Sequence, residues 1–213
     1  MISLFIDTSL EDVSIALIKD GKLLSKIINN IPGEHSIYVT KYIDDILKET
    51  NLSPKDVDEI IVVNGPGSFT GIRIGIATIK PMAEVYNIPI AAVTSLECLA
   101  VTNKSDTIIS LIDARNNQVY AGIFDENINL KEEYMADDIN LVLEKANKYE
   151  NAIFVGDGSL LHKDLILEKI NSAKFVENNE QNAINIGIVG YKKYLEKDLK
   201  NADTILPIYL RNK

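Results

Sequence analysis

Asp7, Val13 and Leu24 recur as Asp113, Val119 and Leu130, each pair 106 positions apart in a chain of 213 residues. A constant offset of half the chain means that one folding unit is used twice. In each copy an apolar run ends in aspartate, Ile2-Ser3-Leu4-Phe5-Ile6-Asp7 and Ile108-Ile109-Ser110-Leu111-Ile112-Asp113. A polar turn follows, then a second run of alternating character from Val13 and from Val119, which reads as a strand. A third strand comes next in both copies. Ile60-Ile61-Val62-Val63 runs into Asn64-Gly65, and Ala152-Ile153-Phe154-Val155 runs into Gly156-Asp157-Gly158. Both are strands entering a glycine turn and a helix, and both follow helical segments, at residues 35–50 and 137–149. Each half is therefore β-β-β-α-β-α. The fold class is α/β, with mixed sheets covered by helices.

The polar stretch Asn103-Lys104-Ser105 separates the halves, giving domains at 1–103 and 104–213. The last helix, residues 181–195, is expected to pack on the second half. The tail from Ile205 to Arg211 is apolar for a terminus and so is expected to be docked. A duplicated unit of this kind resembles the actin-like ATPase (ribonuclease H-like) and sugar-kinase superfamily, whose nucleotide lies between two such halves.

Charge and cysteine content narrow the function classes. The chain carries 22 Lys and Arg against 31 Asp and Glu, a formal charge of −9. Such a surface repels phosphate backbones, so tRNA or other nucleic acid is expected to be reached only indirectly. The apolar runs are too short to cross a bilayer. The N-terminus has no basic segment before its apolar stretch and reads as a strand rather than a signal. A single cysteine, Cys98, rules out an internal disulfide and fits a cytoplasmic location. Cys98 lies among Leu96, Leu99 and Val101 and reads as a core residue.

The sharpest local motif is Gly65-Pro66-Gly67-Ser68-Phe69-Thr70-Gly71-Ile72-Arg73-Ile74-Gly75. Gly65 and Gly67 admit positive φ, Pro66 fixes a turn, and Ser68 or Thr70 suits a helix N-cap. A helix start reached through glycines also offers N–H groups to an anion. There is no Gly-Lys-Ser/Thr ending, so this is not a P-loop, and the spacing departs from the dinucleotide fingerprint. The following helix buries Ile72, Ile76, Ile79, Ala83 and Tyr86 on one face. Gly71, Gly75 and Thr78 form a small-residue strip with Ile74, Met82 and Val85 beside it. A helix apolar over most of its circumference is buried on more than one side. In the helix before it Val39, Ile43 and Ile46 share a face, and Tyr38 and Tyr42 lie beside them with the amphipathic character of interface residues.

These segments resemble the TsaB family. The resemblance rests on Ile6-Asp7-Thr8-Ser9, Glu34-His35-Ser36, the glycine loop from Gly65 to Gly75, Asp113-Ala114-Arg115 with Gln118-Val119-Tyr120, and Pro207 with Tyr209-Leu210-Arg211. They occur in the family's order over nearly the whole chain. The resemblance implies a role in N6-threonylcarbamoylation of the tRNA adenosine next to the anticodon. It implies a TsaD-like catalytic subunit as partner, a TsaE-like ATPase in the same assembly, and self-pairing of two copies as the alternative use of one face. That face is assigned to His35, Tyr38, Val39, Tyr42, Gly71, Ile74, Gly75, Thr78, Met82 and Val85. Pro81 stands where the family has glycine, and a proline inside a helix bends or ends it at a cost of ~3 kcal/mol.

Catalytic candidates are few. His35 and His162 lie far apart and neither has metal-ligand spacing, so both read as capping or interface residues and no metal is expected. Asp7 and Asp113 occupy the strand ends that manage Mg²⁺ in hydrolysing relatives. The turns after them, Thr8-Ser9-Leu10-Glu11-Asp12 and Ala114-Arg115-Asn116-Asn117, lack phosphate-holding glycines. Asp7, Thr8, Ser9, Gly65, Gly67, Ser68 and Asp113 thus form a degenerate nucleotide site, with at most a weak ATP or ADP shared at a subunit interface. The reading is a non-catalytic assembly subunit. The alternative is an ATP-dependent kinase, ATPase or glycoprotease-like hydrolase using Asp7 and Asp113.

Overall fold

A computed structural model of the chain describes residues 1–10, 12–30, 34–101, 105–176 and 183–210. The chain divides into two compact units, Met1–Ser95 with Asn182–Ile208 and Leu96–Gln181 with Tyr209–Lys213.

The first unit holds a five-stranded sheet in the order β3-β2-β1-β4-β5. Its strands are β1 (Ile2–Asp7), β2 (Asp12–Lys19), β3 (Lys22–Asn30), β4 (Glu59–Val63) and β5 (Ile90–Val93). β1 pairs antiparallel with β2 and parallel with β4. Alternation along the strands sends Leu4, Ile6, Val13, Ile15, Leu17, Ile60, Val62 and Ile90 to one face. There they meet Val39, Ile43 and Ile46 of helix α1 (His35–Glu49) and Ile72, Ile76 and Ile79 of α2 (Phe69–Tyr86). Tyr86 is exposed rather than on the buried face. β3 is the edge strand, mostly exposed, and its Lys22 and Lys26 discourage pairing with another sheet.

The second unit repeats the plan in the order β10-β9-β6-β7-β8. Its elements are β6 (Ile108–Asp113), β7 (Gln118–Phe124), β8 (Met135–Asp138), β9 (Ile153–Val155) and β10 (Lys174–Phe175), with helices α4 (Ile139–Ala146), α5 (Asp157–Leu161) and α6 (Lys163–Lys169). Ile109, Leu111, Val119, Ala121, Ile123 and Phe154 pack on Val142 and Leu143 of α4 and Ile166 of α6. The third repeat anchor is weaker than the pattern suggests. Leu24 lies within β3, whereas Leu130 makes a single bridge to Phe124 and the third strand starts at Met135. Asp137 and Asp138 end that strand, so the helix begins at Ile139.

The last helix of each half covers the other half's sheet. α3 (Ser95–Ala100) follows β5, yet its Leu96 and Leu99 pack on Ile108, Ile112, Phe124 and Val155. α7 (Ala183–Leu195) follows β10, yet it lies on the second face of the first sheet, bringing Gly187 against Ile18 and Gly190 against Ile61. This helix thus packs on the first unit and not, as expected from its place in the chain, on the second half. Its start at Gln181, and the junction residues Asn103 and Lys104, lie outside the described residues. The tail is docked as far as Ile208 on the first unit, with Ile205 buried in its core and the Ile208 N–H donating to the Asn64 carbonyl, while Leu210 packs on the Leu96, Ile112 and Phe124 cluster of the second. Arg211 lies outside the described residues.

The α7 face of the first sheet also buries Glu59, whose Oε2 accepts a hydrogen bond from Ser3 Oγ at 3.1 Å. Burial pushes its carboxyl up to about 7, with the Ser3 bond acting in the opposite direction. Between its ordinary value of 4.5 and about 7, the folded chain holds a proton that the unfolded chain releases. Stability therefore falls as pH rises through that window and levels off above it. Urea denaturation from pH 4 to 8 is expected to show Glu59→Gln nearly as stable as the parent at pH 4. At pH 8 the variant is more stable by on the order of 3 kcal/mol.

Candidate functional site

The turn after β1 and the glycine loop before α2 are built into each other. Gly65 and Gly67 have φ of 116° and 156° and flank Pro66, as the loop's sharp reversal requires. The Ser68 N–H donates to the Ser9 carbonyl at 2.8 Å, and Ser68 Oγ caps α2 by accepting from the Gly71 N–H at 3.1 Å. Thr8 Oγ1 donates to the Gly71 carbonyl at 2.7 Å. A Cβ on Gly71 would lie 1.9 Å from the Thr8 carbonyl oxygen, one on Gly75 2.5 Å from Thr8 Oγ1, and one on Gly67 2.5 Å from the Ser9 carbonyl. The glycines are there because β1's turn occupies the space where side chains would stand. At the helix start whose N–H groups suit an anion, those of Ser68 and Gly71 already have partners inside the protein.

Asp7, Thr8 and Ser9 are all nearly inaccessible, Asp7 at 3%. Asp7 Oδ1 accepts from both the N–H and the hydroxyl of Ser9, at 2.8 and 2.7 Å. Burial raises the Asp7 carboxyl above its usual range, while the Ser9 bonds and the charge of His35 pull it back. Asp113 makes the matching turn, its Oδ1 accepting from the Arg115 N–H at 2.8 Å. An aspartate that bonds the N–H two residues on stabilises a turn without any metal.

The two aspartates are nevertheless not structural equivalents. Asp7 alternates with Leu4 and Ile6 and so faces the α7 side of its sheet. Asp113 is paired directly with Val119 and shares the face of Ile109 and Leu111, the side of α4 and α6. Thr8 is the residue that corresponds to Asp113. It contacts Gly71 and Gly75 at the start of α2, as Asp113 contacts Gly158 at the start of α5. The pattern repeats at 106, but the strand faces shift by one residue at this turn. Glu11, counted among the charges of the first turn, lies outside the described residues.

The assigned partner face separates into two groups. His35, Val39, Tyr42, Gly71 and Gly75 are buried within the first unit and are not available at a surface. Val39 sits in the core, Gly71 and Gly75 meet Thr8, and Tyr42 stacks on Tyr38 with ring centroids 5.6 Å apart. His35 is the first residue of α1, and the N-cap is Glu34. His162 makes no side-chain capping bond. Tyr38, Ile74, Thr78 and Met82 are half-buried, and Val85 is 70% exposed. α2 runs unbroken through Pro81 to Tyr86. Pro81 and Ala77, whose carbonyl loses its intrahelical donor there, are both exposed, so water can take up the lost bond. Ile74, Thr78, Pro81 and Val85 thus form one stripe along α2. Ile37 of α1 and Phe69 at the start of α2 are also exposed apolar residues that the sequence reading did not assign to this face.

Among the described residues, no group of three or more His, Cys, Asp or Glu side chains could hold a metal. No described helix is long and apolar enough to cross a membrane. Cys98 is buried.

A family model described as TsaD, tRNA N6-adenosine threonylcarbamoyltransferase, matches residues 23–213. The tRNA threonylcarbamoyladenosine biosynthesis protein TsaB of Bacillus subtilis is 31% identical over 99% of this chain and 94% of its own length. The solved structure of YeaZ from Pseudomonas aeruginosa superposes with a TM-score of 0.82, at 25% identity, covering 98% of this chain and 99% of that one. ROK hexokinase from Thermus thermophilus aligns over 92% of this chain and all of its own, with a TM-score of 0.55; at 11% identity that likeness shows the duplicated actin-like fold alone.

The seating of α2 on the first turn has a direct stability consequence. Gly71→Ala forces a Cβ into the Thr8 carbonyl and is expected to cost at least ~3 kcal/mol in urea denaturation. Gly21→Ala, at φ 76° with nothing within 4 Å, is the control for backbone strain alone and is expected to cost about 1 kcal/mol.

Proposed function

The chain belongs to the TsaB family of tRNA threonylcarbamoyladenosine biosynthesis proteins, and from that premise we propose that it serves this pathway as a non-catalytic assembly subunit. The observation that carries the reading is the α2 stripe. Ile74, Thr78 and Val85 lie along a helix whose other side already fills the core, and Val85, 70% exposed, gives the stripe apolar surface to bury. Patches of this kind mark protein contacts. A TsaD-like catalytic subunit is the proposed partner. Two copies of this chain pair through the same stripe when that subunit is absent, and a TsaE-like ATPase joins the assembly. The net charge of −9 favours tRNA being held by the partner.

Absence of catalysis by the chain alone is part of the proposal. It is supported by the packing around Asp7: a carboxylate raised by burial and bonded twice by Ser9 is poorly suited to holding Mg²⁺. The glycine loop's inward bonds disfavour a phosphate at the start of α2. No observation favours the ATP-dependent enzyme over this reading.

Two measurements test it. Thr78→Glu and Val85→Glu are expected to weaken co-purification with the TsaD-like subunit by at least about tenfold while leaving the melting curve unchanged. Leu161→Glu, an exposed apolar position in the second unit, leaves the complex intact. Isothermal titration of the isolated chain with Mg-ATP is expected to give no tight binding. Tight binding with turnover would overturn the non-catalytic assignment.

A further inference from the structure

A cavity of about 600 Å³ lies beneath α7 on the face of the first sheet turned away from α1 and α2. Ser3, Ile18 and Ile61 form its floor, and Ile188 and Tyr191 of α7 form part of its wall. The volume falls within the range of roughly 300–1,000 Å³ typical of small-molecule sites, and mainly apolar walls with few polar groups have the same character. The cavity is bounded by fixed backbone. A Cβ on Gly187 would stand 2.6 Å from Ile18 Cδ1 and one on Gly190 2.5 Å from Ile61 Cδ1, so α7 is already at closest approach to the sheet.

The polar groups of the cavity set the ligand's chemistry. Ser3 Oγ spends its proton on Glu59 Oε2, so the hydroxyl offers only lone pairs to anything beside it. Glu59 behind it is fully buried, and its Oε1 has no hydrogen-bond partner. At the rim the Met1 ammonium is paired with Asp20 at 2.5 Å, leaving no uncompensated cation there. A ligand must therefore bring a hydrogen-bond donor to the Ser3 end, and above about pH 7, where Glu59 is ionised, positive charge is favoured over negative beside it. We propose that this cavity binds a small apolar molecule ending in an amine, its N–H donated to Ser3 Oγ and its body held between Ile18, Ile61 and Ile188. This site is independent of the α2 stripe and of the assembly role.

The test is a titration of the full chain with 2-phenylethylamine followed by NMR at about pH 8, where Glu59 is ionised. The expected result is saturable one-to-one binding, with shifts at Ser3, Ile18, Ile61 and Tyr191. Phenylacetate, the anionic counterpart, binds at least about tenfold more weakly, and Ser3→Ala weakens the amine about tenfold. Ile188→Trp fills the cavity from a half-exposed position and abolishes binding. If that variant fails to fold, Leu23→Trp blocks the site from the opposite rim. The proposal is overturned by absence of saturable binding, by phenylacetate binding as well as the amine, or by tryptophan variants that bind unchanged. It is also overturned in favour of a protein-docking pocket if the amine fails to bind while Ile188→Trp breaks the complex with the TsaD-like subunit.

Discussion

The contact between Gly71 and the Thr8 carbonyl sets the geometry of the first unit. It fixes how deeply the start of α2 sits on the end of β1, because no side chain larger than hydrogen fits between them. The depth of α2 in turn determines which of its sides enters the core and which remains as the stripe of Ile74, Thr78, Pro81 and Val85. It also draws the Ser68 and Gly71 N–H groups into internal bonds. One close approach thus supports a partner surface and disfavours an anion site.

The exchange of terminal helices explains how a duplicated chain covers four sheet faces. α1 and α2 cover one face of the first sheet, and α4 and α6 one face of the second. Each remaining face takes the helix that ends the other half of the sequence. In the first unit the exchange has a further consequence. α7 brings two glycines onto Ile18 and Ile61 and leaves beside them the cavity that ends at Ser3 and Glu59. The sheet's two faces therefore carry different possibilities, a protein surface on the α1–α2 side and a small-molecule site on the α7 side.

Much of the fold could be read in order along the chain. Strands of period two, helices of period 3.6 and the glycine turns are local signals, and the β-β-β-α-β-α repeat follows from them. The TsaB resemblance carried the family. Facing was less legible. The 106-residue offset aligned Asp7 with Asp113, yet one residue at the turn after β1 sends them to opposite faces, and a strand shifted by one residue reverses every side chain. Half of the assigned partner residues proved buried for a related reason. Gly71 and Gly75 read as a strip for another protein, but the surface they meet is Thr8 of the same chain. Glu59 gave no warning, since a carboxylate at the start of a strand usually reads as solvated.

By itself the sequence determined the two-fold repeat, the α/β class, the family and the acidic character, because each depends on residue order or on sums over the chain. Tertiary structure alone decided which helix covers which sheet, which face of α2 stays free, and that the glycine loop is bonded inward. Those outcomes depend on distances between segments far apart in sequence. An apolar helix such as α7, whose composition suits any sheet, carries no record of its partner until the chain has closed around it.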